Sequence, residues 1–167
     1  HGFRPIDRGA TSYLYTEPQP LVCGSSYHLA VRATNCAGLP TVVSSDALTI
    51  CCEPPSGGVA KLHAADGREL THLSAVGPVF LNYSGFVEPC SGVSAYVIAL
   101  VSAEAGASDA WLWSSEGSGT ADELPMAWLH ARGRLAHNTQ YAFVVHAYSH
   151  AGHGATAAAK FTFDVAP

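Results

Sequence analysis

The chain has 167 residues, a formal net charge of −5 at neutral pH and only 13% charged residues, about half the roughly 25% of ordinary soluble chains. Its lysines and arginines are scattered singly, which excludes the basic patch that nucleic acid or anionic lipid requires. No run approaches the roughly 20 apolar residues needed to span a bilayer as a helix, so no membrane insertion is expected of this segment. The surface left by so few charges consists of Ser, Thr, Gly, Ala and His. Such a surface is weakly protected against association and is expected to face a partner in part, although a compositional bias toward Ala and Gly would leave the same profile. The N-terminal HGFRPIDRG has no apolar signal-peptide core and the only methionine is Met126, so the chain reads as a mature or excised piece of something longer.

In chain order, ATSYLYTE reads as a short strand and is followed by the breaker-rich EPQP. Tyr27 to Thr34, YHLAVRAT, alternates strictly: Tyr27, Leu29, Val31 and Ala33 share one face, the period-two pattern of a half-buried strand. AGLP is a turn, and Ala47 to Cys52 is a further strand with Leu48, Ile50 and Cys52 inward. Glu53-Pro54-Pro55-Ser56-Gly57-Gly58 is a short, partly stiff linker, because each proline fixes its own φ and restricts the residue before it. Beyond it VAKLHA, PVFLNYSGF, VSAYVIALVS, DAWLWSS, LPMAWLHA, TQYAFVVHAYS and KFTFDV are expected as seven strands. No stretch of about 12 residues carries a capped helical period; Gly106 and Pro125 interrupt the two closest candidates. Seven short strands separated by turn signals predict an all-β, two-sheet β-sandwich.

The chain also repeats itself. LVCGSSYHLAVRATNCAG, Leu21 to Gly38, and LAHNTQYAFVVHAYSHAG, Leu135 to Gly152, lie 114 positions apart. They share Leu21 with Leu135, Tyr27 with Tyr141, Val31 with Val145, Ala33 with Ala147 and Gly38 with Gly152. A period of that length fits modules of ordinary domain size. Ala47–Cys52 then matches KFTFDV, with Phe161, Phe163 and Val165 in the inward places, once a single-residue deletion is allowed.

The residues that could carry chemistry form no recognisable centre. Cys23, Cys36, Cys51, Cys52 and Cys90 include no CxxC pair and no zinc-finger spacing. Dispersed cysteines in Ser/Thr/Gly-rich β-type sequence point to disulfides and a secretory route, with five reduced thiols as the alternative. Asn82-Tyr83-Ser84 is a sequon for an N-linked glycan. His146, His150 and His153 would share a face on a helix, but on a strand His146 and His150 stand roughly 13 Å apart at 3.3 Å per residue, too far to share an ion. Asp109, Glu116, Asp122 and Glu123 lie in or beside a Gly/Ser-rich segment that does not fix their geometry as an acid and base. No GxSxG, P-loop or HExxH occurs. Neither an enzyme, a metal nor a cofactor is therefore expected. Trp111 and Trp113 share a face by alternation and are read as interface or core residues, or as a sugar-stacking pair if exposed.

The spacing Leu-x5-Tyr, present as Leu21/Tyr27 and Leu135/Tyr141, resembles the tyrosine corner of fibronectin type III modules. Tyr-x-x-x-Val-x-Ala-x-Asn-x-Ala-Gly, Tyr27 to Gly38, is similar to that family's sixth strand and hairpin, and Val93-x-x-Tyr96 to its third strand. Tyr83 stands where the family carries a second-strand tryptophan, and His150 where the first copy has Cys36. The resemblance implies one complete module over 53–167, the C-terminal half of another over 1–52, and a tandem array. A half-sandwich cannot bury both faces of its sheet, so it either leans on a neighbour or has its missing strands elsewhere in the native chain.

In that fold Cys23, Cys51, Cys52 and Cys90 gather at the module junction. Cys51 and Cys52 would then be shared between Cys23 and Cys90, with side-chain alternation favouring Cys23 with Cys52 and leaving Cys51 for Cys90. Cys36, at the other end of the first module, would find its partner outside this segment. The resemblance implies an extracellular or cell-surface structural and adhesive module of a longer protein or filament, associating with other modules or subunits of one assembly. The alternative is a ligand- or glycan-binding accessory module, which requires Trp111 and Trp113 exposed.

Overall fold

A computed structural model describes residues 3–7, 9–14, 16, 20–73, 77–103 and 111–164. The protein is all-β, with several sheets and, among the described residues, one short helix. It divides into two compact units, His1–Cys52 and Glu53–Pro167.

The first unit holds four short strands: β1 (Ser26–Tyr27), β2 (Ala30–Thr34), β3 (Pro40–Ser44) and β4 (Leu48–Thr49). β2 pairs antiparallel with β3 from Ala30↔Ser44 to Thr34↔Pro40, and β1 with β4 through Ser26↔Thr49 and Tyr27↔Leu48. The hairpin between β2 and β3 closes on the Asn35 side chain, whose Oδ1 accepts the N–H groups of Ala37 and Leu39 at 3.0 and 2.9 Å, an Asx-type turn. The strand expected over 10–17 does not form: Ala10–Leu14 and Thr16 are outside any strand. A lone extended segment has no ladder to satisfy its backbone, and no described strand pairs with it. The strand β3 was not expected from its sequence.

The second unit contains β5 (Ser56–Ala64), β6 (His72–Leu73), β7 (Val79–Val87), β8 (Val93–Ser102), β9 (Trp113–Glu116), β10 (Ala121–Leu124), α1 (Met126–Ala131), β11 (Thr139–Ser149) and β12 (Gly154–Phe163). They form a three-stranded sheet, β10-β7-β5, and a five-stranded sheet, β6-β12-β11-β8-β9. All pairings are antiparallel except the parallel edge pair of β12 with β6. One hydrophobic cluster draws on both sheets: Leu62, Val79, Leu81, Tyr83 and Phe86 from the first, Ile98, Leu100, Phe143, Val145, Phe161 and Phe163 from the second. The alternation that predicts these strands is thus the alternation that fills the core.

LPMAWLHA departs from expectation. Only Ala121–Leu124 is strand there, and Met126–Ala131 is the helix α1. Pro125 precedes the helix instead of breaking it, a place where the missing N–H is no loss, and its carbonyl accepts the Leu129 N–H at 2.9 Å. Met126 and Leu129, three apart on one helical face, are both buried. In DAWLWSS only Trp113–Ser115 belongs to a strand, which ends at Glu116; Asp109 and Ala110 lie outside the described residues, as does Val165.

The repeat is visible in the pairing itself. Adding 114 to each β2–β3 pair gives the β11–β12 pairs Val144↔Ala158 through Tyr148↔Gly154. The β1–β4 pairs map onto Gln140↔Thr162 and Tyr141↔Phe161, an offset of 114 on one strand and 113 on the other. The first unit therefore carries one extra residue between β3 and β4. Around it Leu29 donates to Ser45 Oγ at 3.0 Å while Ser45 N–H donates back to the Leu29 carbonyl at 2.8 Å. This irregularity splits into short pieces what runs unbroken as β11 and β12 in the second unit, as a bulge does.

Candidate functional site

Each copy of the repeated motif bends its chain around a tyrosine hydroxyl. Tyr141 Oη accepts the N–H of Ala136 at 2.8 Å, and Tyr27 Oη accepts the N–H of Val22 at 3.0 Å. The turn between needs a left-handed residue, supplied by Gly24 (φ 75°) in one copy and by Asn138 (φ 54°) at the equivalent place in the other. These are the two residue types that enter that region most readily. Leu135 and Tyr141 are buried, whereas Leu21 is exposed.

The disulfide pattern differs between the copies. Cys23 is bonded to Cys52, with Cα atoms 5.6 Å apart; Cys51 and Cys90 are also disulfide-bonded, and Cys36 is an exposed free thiol. Disulfides of this kind belong to oxidising compartments. In the second unit, His137 occupies the place of Cys23, and its Nδ1 lies 3.0 Å from Asp164 Oδ1. This exposed histidine–aspartate contact stands beside the place of the first unit's covalent link, because Asp164 matches Cys51 rather than Cys52.

The largest contrast between the copies is burial. Leu29, just before β2, and Val31 within it are 53% and 50% exposed, while their counterparts Phe143 and Val145 in β11 are both 0% exposed. Leu39, Val42, Val43 and Leu48 are exposed as well. Among the described residues β2 pairs only with β3, whereas β11 pairs with both β12 and β8. The first unit thus presents an apolar surface and an open strand edge whose counterparts within the second unit are covered by that unit's own strands.

The other candidates fall apart spatially or serve the fold. Trp113 is half-buried and meets Phe143 edge-on, ring centroids 6.2 Å apart, while Trp111 is exposed. The expectation that both share a face fails because the chain bends at Leu112, which packs toward the core and reverses the alternation. Asn82 is exposed at the middle of the central strand β7, between its cross-strand partners Lys61 and Ala121. Glu116 lies in the five-stranded sheet and Glu123 in the three-stranded one. Asp122 accepts the Tyr83 hydroxyl at 2.7 Å and the Ser118 N–H, and Tyr83 Oη in turn accepts the Gly119 N–H at 2.7 Å. That network ties the β9–β10 turn to β7. Burial, first among several causes, pushes the Tyr83 phenol above its ordinary pKa. Among the described residues no group of His, Cys, Asp and Glu is placed to hold a metal ion, and no helix is long and apolar enough to cross a membrane.

Glu88, which belongs to no recognisable sequence motif, closes the turn between β7 and β8. Its carboxylate accepts the N–H of Cys90 at 3.1 Å, the N–H of Ser91 and the Ser91 hydroxyl at 2.7 Å. Its only sequence signal is an acid placed two and three residues before the donors it caps. These bonds, led by the Ser91 hydroxyl, hold its pKa below the ordinary value of 4.5 against the opposing effect of burial. A lowered carboxyl pKa stabilises the folded state above the unfolded pKa and loses that contribution as pH falls through the folded value. Denaturant titrations of the protein and Glu88→Gln are therefore expected to differ at pH 7 and to converge below about pH 4.5. A stability difference independent of pH would show that the charge on Glu88 is irrelevant.

No protein-family model matches the chain, and no curated protein is significantly similar to it.

Proposed function

We propose that this chain is a structural and adhesive extracellular segment of the fibronectin type III kind, acting by protein–protein association with modules of the same assembly. In this reading, residues 53–167 are one sandwich module, seven strands with the two-residue β6 added at the edge of one sheet, and residues 1–52 the C-terminal half of another, in a tandem array. Several observations support it: the shared pairing register of the two copies, the tyrosine hydroxyl bonds at Val22 and Ala136, and two sheets sharing one core. The oxidised cysteines support an extracellular or cell-surface setting.

The observation that carries the association is the exposed face of β2 and β3. Val31 and its cross-strand partner Val43 share one face of this strand pair, with the exposed Leu29 just before β2 and the exposed Val42 on the opposite face, whereas the counterpart pair is covered on its inner face and along its second edge. Exposed apolar residues beside an open edge are what a neighbouring β-module would cover. Sedimentation of the purified chain is expected to show self-association that grows with concentration. Val31→Glu, which places a charge on that face, is expected to abolish it. A single monomeric species at every concentration reached, or association indifferent to Val31→Glu, would overturn the proposal.

A further inference from the structure

The outer face of the five-stranded sheet carries an aromatic row that the association reading does not use. Val145, Ala147 and Ser149 of β11 point into the second unit and are buried, so His146 and Tyr148 point out. Their rings lie nearly parallel, 14° apart in plane, with centroids separated by 6.5 Å. Trp111, turned outward by the bend at Leu112, also lies against His146, centroids 5.2 Å apart and planes 42° apart, and is 51% exposed.

Tyr148 pairs across the sheet with Gly154, and a side chain at that glycine would meet the tyrosine ring at 3.4 Å. That is ordinary van der Waals distance, which places the ring over β12 at Gly154. Ala95, its partner on β8, is equally small. His146 stands in a cross-strand row with Val97 and Glu116 on one side and Thr156 on the other. Paired residues of a sheet project from the same face. Glu116 and Thr156 are both exposed, and they set a hydrogen-bond acceptor and a hydroxyl to either side of the rings.

We infer that Trp111, His146 and Tyr148 form a platform for the pyranose rings of a neutral polysaccharide. Flat aromatic faces stack on the apolar C–H face of a sugar ring, and the carboxylate and hydroxyl that flank them meet its hydroxyl groups. The ligand is uncharged because the row supplies no cation and contains the carboxylate of Glu116, which repels an acidic sugar. Burial holds the His146 imidazole below its ordinary pKa, so it is a neutral ring at physiological pH. The platform is independent of the β2–β3 face.

Electrophoresis of the intact chain through gels containing soluble neutral polysaccharides, such as a xyloglucan, a galactomannan and a hydroxyethyl cellulose, tests this. At least one is expected to retard the protein. Trp111→Ala is expected to weaken that binding about tenfold or more and Tyr148→Ala to weaken it too, with Val31→Glu leaving it unchanged. Near-ultraviolet circular dichroism of each variant reports that the fold is retained. Absence of retardation by any neutral polysaccharide, or retardation that survives both substitutions, overturns the inference. So would self-association lost on Trp111→Ala with no sugar bound, since the rings would then be a protein interface.

Discussion

Replacing Phe143 by alanine is expected to cost the second unit about 3–5 kcal/mol, while Leu29→Ala at the equivalent place in the first copy shifts stability by no more than about 0.5 kcal/mol. Phe143 is fully buried, stacks on Phe161 with centroids 5.4 Å apart and receives the edge of Trp113. Truncation there removes the transfer free energy of a large ring and leaves a hole between Phe161 and Trp113 that the two rings cannot both move into. Against a domain stability of roughly 5–15 kcal/mol, the loss is a large fraction of the total. Leu29 occupies the same register on the same motif but stands in solvent, so its truncation removes little packing. Chemical denaturation of the two variants, with the transition of the second unit followed by tryptophan emission, measures both effects. Equal losses at the two positions would show that the first unit's apolar face is covered in the isolated chain.

That comparison also marks how far the sequence could be read. The alternation Tyr27, Leu29, Val31, Ala33 and its copy Tyr141, Phe143, Val145, Ala147 are legible as strand faces, because period two is the geometry of the backbone itself. What covers each face is not legible, because that depends on which other strands fold beside it. Extended backbone was missed where composition hid it. Gly154–Ala159 is mostly alanine and gives no alternation to read, and β3 begins at a proline that resembled the end of a turn.

The helix α1 was missed for a different reason. Pro125 is a breaker inside a helix and a favourable start just before one, and with six residues the helix is too short to show a period. The sites have the same limits. Parity along a strand places His146 and Tyr148 together on one face, but the approach of Trp111 follows from the bend at Leu112, which no pattern of residue types announces. Glu88 and Asp122 act through hydrogen bonds to turns whose shape exists only once the strands on either side are paired.

Reduction of the Cys23–Cys52 link, or the double substitution Cys23→Ser/Cys52→Ser, is expected to unfold the first unit while the second remains folded. Every described residue of the hydrophobic core belongs to 53–167, so hydrophobic burial contributes little to holding β1–β4 together. Their restraints include short ladders, hydrogen bonds to Tyr27, Asn35 and Ser45, the Cys23–Cys52 link and the disulfide of Cys51. The link spans a sequence separation of 29, and closing a loop of that length destabilises the unfolded chain by about 3–4 kcal/mol. Two-stranded pieces are at best marginal in water, so losing a contribution of that size leaves nothing to offset the conformational entropy of ordering the segment. In the second unit His137, at the place of Cys23, contacts Asp164, an exposed pair worth at most about 1 kcal/mol, and the core makes a covalent link there dispensable. Amide exchange followed by peptide mass analysis separates the two units. Peptides from 20–50 are expected to lose protection in the double variant, while those of β7, β8 and β11 keep theirs. Retained protection across β2 and β3 would mean that the open face is already covered, by another copy of the chain or by a contact that survives without the disulfide.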